Sequence, residues 1–172
     1  RSFHVTGVQT CALPISGSAI GCAKASLTDY RDNIQGKVMA YTDHVQTEWP
    51  PTQINAANAA TRIDAAELLL YRSADTIDDY AARDTAMPVL ERARVRMDCA
   101  QAVRFCLEAV DLLFINGGAS GLARDKLPQR ASRDLHAINM HGLLLLDVNA
   151  EAYGRILLRS EEHTSELQSR ET

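Results

Sequence analysis

The residue types in this 172-residue chain that could do chemistry are a pair of histidines, a glycine cluster and one spaced Asp/His pair. His136 and His141 fall in a stretch that reads as one helix, and residues five apart on a helix are separated by about 140°. Two ligands for one metal would need a spacing of three or four. No Glu-x-x-His motif supplies a di-iron carboxylate site either, so no metal centre is expected. Gly117-Gly118-Ala119-Ser120-Gly121 follows a helical pattern rather than a strand. By spacing alone it is a helix terminator; its other use would be close approach of backbone amides to a phosphate or pyrophosphate. Asp134 and His141, seven apart, share a face of the predicted helix, which describes an ordinary surface or a satisfied histidine near a core. There is no GxSxG, P-loop or Rossmann fingerprint.

Four helices are predicted to carry these residues. The first spans about Gly17 to His44 and is rich in small residues at its start. Trp49-Pro50-Pro51 breaks it, and Thr52 is a plausible N-cap for a second helix reaching about Arg83. There Ile63, Leu70 and Ile77 recur at sevens, with Ala59, Ala66 and Leu69 alongside. Pro88 suits a first-turn position of the third helix. In that helix Met97, Ala100, Val103, Leu107, Val110 and Phe114 step by threes and fours, the seam of a bundle. Asn116-Gly117-Gly118 stops it, since glycine can take a left-handed C-cap conformation. Lys126-Leu127-Pro128 leads into a last helix, about Gln129 to Leu158. With no strand between them, these elements predict an all-α domain, a four-helix bundle.

The two ends read differently. Val5–Ile15 (VTGVQTCALPI) and Arg159–Ser169 (RSEEHTSELQS) show neither helical nor strand periodicity. One codon choice for the second, read on the opposite strand in another frame, encodes the first. That DNA resembles a common sequencing-library adapter. Residues 1–16 and 159–172 are therefore expected to be adapter-derived, with the domain itself at 17–158 and the natural protein extending beyond both limits. The first segment makes a poor targeting peptide, having one Arg, no long apolar run and a proline in its most apolar part. His4, Cys11 and His163 carry no functional argument on this reading.

Between Gly17 and Leu158 there are 15 basic and 18 acidic residues, a net charge of −3. A nucleic-acid footprint would need a basic face, and no apolar run approaches the roughly 20 residues of a membrane span. Neither nucleic acid nor membrane is an expected partner. Cys22, Cys99 and Cys106 form no CxxC pair. Cys99 and Cys106, seven apart on the third helix, sit roughly 10 Å apart along its axis, too far for an unstrained disulfide. Buried thiols of a cytoplasmic protein are expected.

Arg94 to Gly142 carries a further pattern: an apolar helix, the corner Asn116–Ser120, then Gln129-Arg130, Arg133-Asp134 and His141 seven residues after that Asp. It resembles the closing segment of two-component flavin monooxygenases with an acyl-CoA dehydrogenase fold, such as the oxygenase components of hydroxyphenylacetate and secosteroid hydroxylases. The resemblance extends over nearly all of Gly17 to Leu158. It implies the C-terminal bundle of a three-part subunit, four of which pack into a homotetramer. It also implies cofactor contacts from Gly117, Gly118 and Ser120 to a flavin held by a neighbouring subunit, and a catalytic His141 beside a flavin C4a-hydroperoxide. Reduced FMN, with FAD possible, would come from a separate NAD(P)H:flavin reductase, and the substrate would be aromatic or polycyclic. The rival family reading is an FAD-dependent acyl-CoA dehydrogenase. Those commonly carry a catalytic Glu in a Tyr-Glu-Gly context after the glycine corner, whereas Gly121 to Gly142 contains no Glu and Glu151 lies between two alanines. A third reading is a helical oligomerisation module without catalysis.

Overall fold

A computed structural model describes residues 7–158. The order is α1 (Gly7–Asn33), a 3-10 turn (Gln46–Glu48), α2 (Pro50–Ala82), α3 (Val89–Gly117), a second 3-10 turn (Ala119–Leu122), α4 (Leu127–Asn139) and α5 (Leu146–Leu158). Among the described residues no strand forms, and Val38 and Val45 make one isolated antiparallel bridge. The all-α bundle expected from the seams is the architecture found, with five helices in place of four.

Helix α3 is the hub, packed against α1, α2, α4 and α5. Its buried positions run through Cys99, Val103, Cys106, Leu107, Val110 and Leu113. Alanines line the buried faces: Ala19 and Ala23 on α1, Ala59 and Ala66 on α2, and Ala102 and Ala109 on α3 are all fully buried. Their spacings of four and seven place each pair on one stripe, and the small side chains let the helix backbones approach closely. Of the predicted seams, Ala100, Val103, Leu107, Val110 and Ile63 are buried, while Met97, Phe114, Leu70 and Ile77 are only partly covered.

Two ion pairs link α2 to α3: Arg62 meets Glu108 at 3.3 Å, and Arg72 meets the buried Asp98. Arg72 grips Asp98 with both arms, Nε to Oδ2 at 2.9 Å and Nη2 to Oδ1 at 2.6 Å. Asp98 is buried, and Ser73 Oγ adds a third contact at 3.4 Å. A bidentate pair of this kind fixes helix register as well as distance.

The predicted boundaries fail in four places. Helix α1 begins at Gly7, not Gly17, and Ala12 and Ser16 are buried in this added length. Ser16 Oγ reaches both Ala12 O at 2.8 Å and Cys99 O at 3.3 Å. A segment without periodicity can still continue a helix when its residues tolerate one and its inner face finds a partner. At its other end α1 stops at Asn33, eleven residues short of His44, and Gly36 at φ 65° turns the chain. The stretch expected to be one last helix is two, broken by a tight corner over residues 140–145. Helix α2 starts with prolines in its first turn behind Trp49, not with a Thr52 cap; Thr52 is buried inside that turn. Residues 159–172, expected to be adapter-derived, lie outside the described residues, as does His4.

Candidate functional site at the glycine corner

The end of α3 runs into the glycine cluster. Gly117 is the last helical residue, and Gly118 then takes φ 84°, ψ 175°. That combination is open almost only to glycine. It differs from a left-handed cap, because the chain leaves extended instead of curling back over the helix. A Cβ on Gly118 would meet only Lys37 Nζ, at 3.6 Å, so dihedral strain and not crowding reserves this position for glycine. Gly121 N–H closes the turn onto Gly118 O at 3.1 Å.

Beside this corner lies a cleft of about 250 Å³, between the C-terminal ends of α1 and α3. Gly117, Ser120 and Gly121 form one wall, Asp29, Tyr30, Asn33 and Lys37 another, with Phe114, Lys126 and Pro128 nearby. Tyr30 is buried, and burial pushes its phenol above the ordinary value, with Thr52 and Gln46 acting in the opposite sense. Asp29 carries one buried oxygen, Oδ2, without a hydrogen-bond partner. The lining thus combines two aromatic rings, two ammonium groups and a carboxylate.

Two of the three expected cofactor residues, Gly117 and Ser120, line this cleft, and Gly118 sits at its rim against Lys37. His141 is elsewhere. It lies beyond the end of α4, in the corner before α5, and is exposed. The helical geometry used to separate His136 from His141, and to align His141 with Asp134, therefore does not apply. Asp134 instead pairs with its neighbour Arg133 at 3.2 Å. His136 Nδ1 sits 2.8 Å from Ser132 O, and its Nε2 is 3.7 Å from Asp111 of α3.

The His141 corner is tightly tied. Leu144 is fully buried and its N–H donates to His141 O at 2.8 Å. Asn149, 2 % exposed, donates to Leu143 O at 3.0 Å and Leu145 O at 2.8 Å. Leu143 N–H donates to His141 Nδ1 at 3.3 Å. An accepting Nδ1 leaves the proton of a neutral imidazole on Nε2, so the ring presents an N–H away from its own backbone. Among the described residues no group of three or more His, Cys, Asp or Glu side chains gathers as a metal site would require.

The thiols are not part of this site. Cys99 and Cys106 are buried, and burial pushes them up to about 11 and about 12; Cys22 is half-buried and also raised, chiefly by burial. Sequence reasoning missed the whole α1 wall of the cleft. The signal was Gly36, a stop inside the predicted first helix, followed at once by Lys37.

A family model described as "Acyl-CoA dehydrogenase, C-terminal domain" matches residues 13–145. The chain is 29 % identical over 164 residues to the oxygenase component of FADH2-dependent resorcinol hydroxylase from Rhizobium sp. (strain MTP-10005), covering 91 % of this chain and 38 % of that protein. It is 31 % identical over 134 residues to the oxygenase subunit HsaA, a flavin-dependent monooxygenase of Mycobacterium tuberculosis, covering 77 % and 33 %. Among solved structures, XiaF from Streptomyces sp. in complex with FADH2 and glycerol superposes with a TM-score of 0.81 at 28 % identity, covering 86 % of this chain and 37 % of that one. The chain thus spans under two-fifths of the length of these relatives. It belongs to the family of acyl-CoA dehydrogenase C-terminal domains.

Proposed function

We propose that this domain is the C-terminal part of the oxygenase component of a reduced-flavin-dependent monooxygenase that hydroxylates an aromatic or polycyclic substrate. The observation that carries this reading is the Gly118 backbone, held in a glycine-only conformation at the mouth of a cleft that offers a tyrosine ring and two ammonium groups. Such a surface suits a flat, partly anionic ligand. At about 250 Å³ the cleft is smaller than the roughly 300–1,000 Å³ of ordinary ligand sites, and fits one edge of a flavin rather than a whole one. The other walls would come from a neighbouring subunit and from further domains. That the relatives are a resorcinol hydroxylase and a flavin-dependent monooxygenase favours oxygenation over acyl-CoA dehydrogenation, as does the absence of Glu from Gly121 to Gly142.

In this reading reduced flavin, delivered by an NAD(P)H:flavin reductase, supplies the oxygen-activating chemistry. The chain's own residues bind and orient. Gly117 and Gly118 give close backbone approach, Ser120 offers a hydroxyl, and Lys37 and Lys126 balance negative charge. His141, whose Nδ1 accepts from Leu143 N–H, offers an Nε2–H donor. His141 does not line the cleft by the glycine corner, so the two would serve different parts of an assembled site. FMN and FAD both fit this reading, and the FADH2 named for the resorcinol hydroxylase and for XiaF supports FAD.

We further propose a homotetramer. Leu68 and Tyr71, one turn apart on α2, are well exposed, as is Ile54 nearer its start, and such apolar positions are of the kind that subunits cover. The domain limits 17–158, with adapter-encoded residues 1–16 and 159–172, are part of the same reading and rest on the opposite-strand relation of the two end peptides. Among the described residues no helix is long and apolar enough to cross a membrane, and three free cysteines suit a reducing compartment such as the cytoplasm.

The test is gel filtration of the purified chain with FMN, FAD or riboflavin, following the visible flavin band. Flavin eluting with a tetramer is the expected result. A colourless tetramer would favour the oligomerisation module, and a colourless monomer would defeat both readings.

A further inference from the structure

The carbonyls of Asn116 and Gly117 are among the last four of α3, which have no intrahelical donor. Both are taken by side chains of the α1–α2 connection. Gln46 Nε2 donates to Asn116 O at 2.9 Å, and Lys37 Nζ donates to Gly117 O at 2.9 Å. Asn116 is held again from α2, where Asn55 Nδ2 donates to its Oδ1 at 2.8 Å. The connection is folded back on itself by the Val38–Val45 bridge, and Gln46 N–H donates to Lys37 O at 2.7 Å. Lys37 and Gln46 are thereby set side by side, facing the end of α3.

Two consequences follow from this clamp. A helix that closes its own end curls the next residues over its carbonyls. Here external donors meet the last carbonyls, and Gly118 departs extended, which opens the corner toward the cleft. The second consequence is electrostatic. A helix C-terminus carries roughly half a negative charge, so an uncompensated α3 end would repel an anion. The Lys37 ammonium sits on that end and also lines the cleft.

We propose that Lys37 is a positioning residue for the glycine corner: it fixes the Gly117 carbonyl and makes the end of α3 tolerant of an anionic ligand group such as the phosphate of a flavin nucleotide. The ligand part of this inference rests on the flavin reading above; the clamp itself does not.

The experiment compares the full chain with Lys37→Met, Lys37→Arg and Gln46→Leu. Amide hydrogen exchange at Gly121, whose N–H bonds Gly118 O, reads the corner, and exchange at Val103 in the core serves as the control. Lys37→Met should speed Gly121 exchange roughly tenfold, the scale of one lost charge-assisted hydrogen bond, with Val103 unchanged. Gln46→Leu should speed it less, and Lys37→Arg should restore it. Equal exchange in wild type and Lys37→Met overturns the clamp, and so does an equal acceleration at Val103. Titration with FMN and riboflavin then reads the charge. Lys37→Met should lose roughly tenfold in FMN affinity and keep its riboflavin affinity; equal losses for both overturn the electrostatic role. If Gly121 exchange responds as expected while wild type binds neither flavin, the clamp stands and the flavin reading falls.

Discussion

Replacing Gly118 and Gly117 by alanine, one at a time, separates two neighbouring glycines that sequence alone treats as equivalent. Gly118 sits at φ 84°, ψ 175°, a region where a residue with a Cβ carries a penalty of about 1–3 kcal/mol. The nearest atom to the added methyl is Lys37 Nζ at 3.6 Å, ordinary contact, so no steric cost adds to the backbone one. Gly117 is the last residue of α3, and its added Cβ would meet only Tyr30 Cδ2 at 3.9 Å. Alanine is favoured over glycine in a helix by up to about 1 kcal/mol, and by less at a terminus. Gly118→Ala should therefore destabilise by about 2 kcal/mol, and Gly117→Ala should be neutral or stabilise by a few tenths. Urea unfolding followed by far-UV circular dichroism measures both, with unchanged slopes required for the comparison. Equal effects, or a larger loss at Gly117, would refute the assignment of the strained conformation to Gly118 alone.

Three other outcomes follow from the packing and the site. Arg72→Met strands the buried Asp98 carboxylate with only Ser73 beside it, and should cost about 3 kcal/mol in urea unfolding; a loss below 1 kcal/mol would mean the pair carries no register. Cys99 and Cys106 are held as neutral thiols up to about 11 and about 12, against an ordinary value of 9.0. The unfolded chain then releases these protons first as pH rises, so stability is whole below pH 9 and falls above it by roughly 1.4 kcal/mol per pH unit per thiol. A double Cys→Ala variant should lose that alkaline slope, and the native thiols should resist alkylation at neutral pH. Asn149→Leu removes two hydrogen bonds from the His141 corner, and should cost about 2 kcal/mol and speed amide exchange at Leu144; exchange unchanged there would show that the corner holds without it.

The class of fold was readable because α2 and α3 bury stripes that repeat at threes, fours and sevens, and such periodicity survives whatever happens at the helix ends. The ends were harder. Gly36 at φ 65° and the turn over residues 140–145 each follow a helix end, but each sits among residues with helical propensity, and the hydrophobic pattern runs past both. That error hid the α1 wall of the cleft and put His141 on a helix it does not occupy. The corner at Gly117–Ser120 was legible as a terminator, and its family likeness gave it a cofactor role. That Gly118 alone needs glycine, and that Lys37 reaches across eighty residues to Gly117 O, are tertiary facts. No spacing rule connects a lysine in one loop with the end of a helix two elements away.

In the proposed enzyme the glycine corner of this bundle meets a flavin. The most direct measurement is a backbone amide NMR titration of the chain with FMN. The largest shifts should fall on Gly117, Gly118, Ser120 and Gly121 and on Lys37 across the cleft. Shifts confined to other surfaces, or none at saturating flavin, would contradict it.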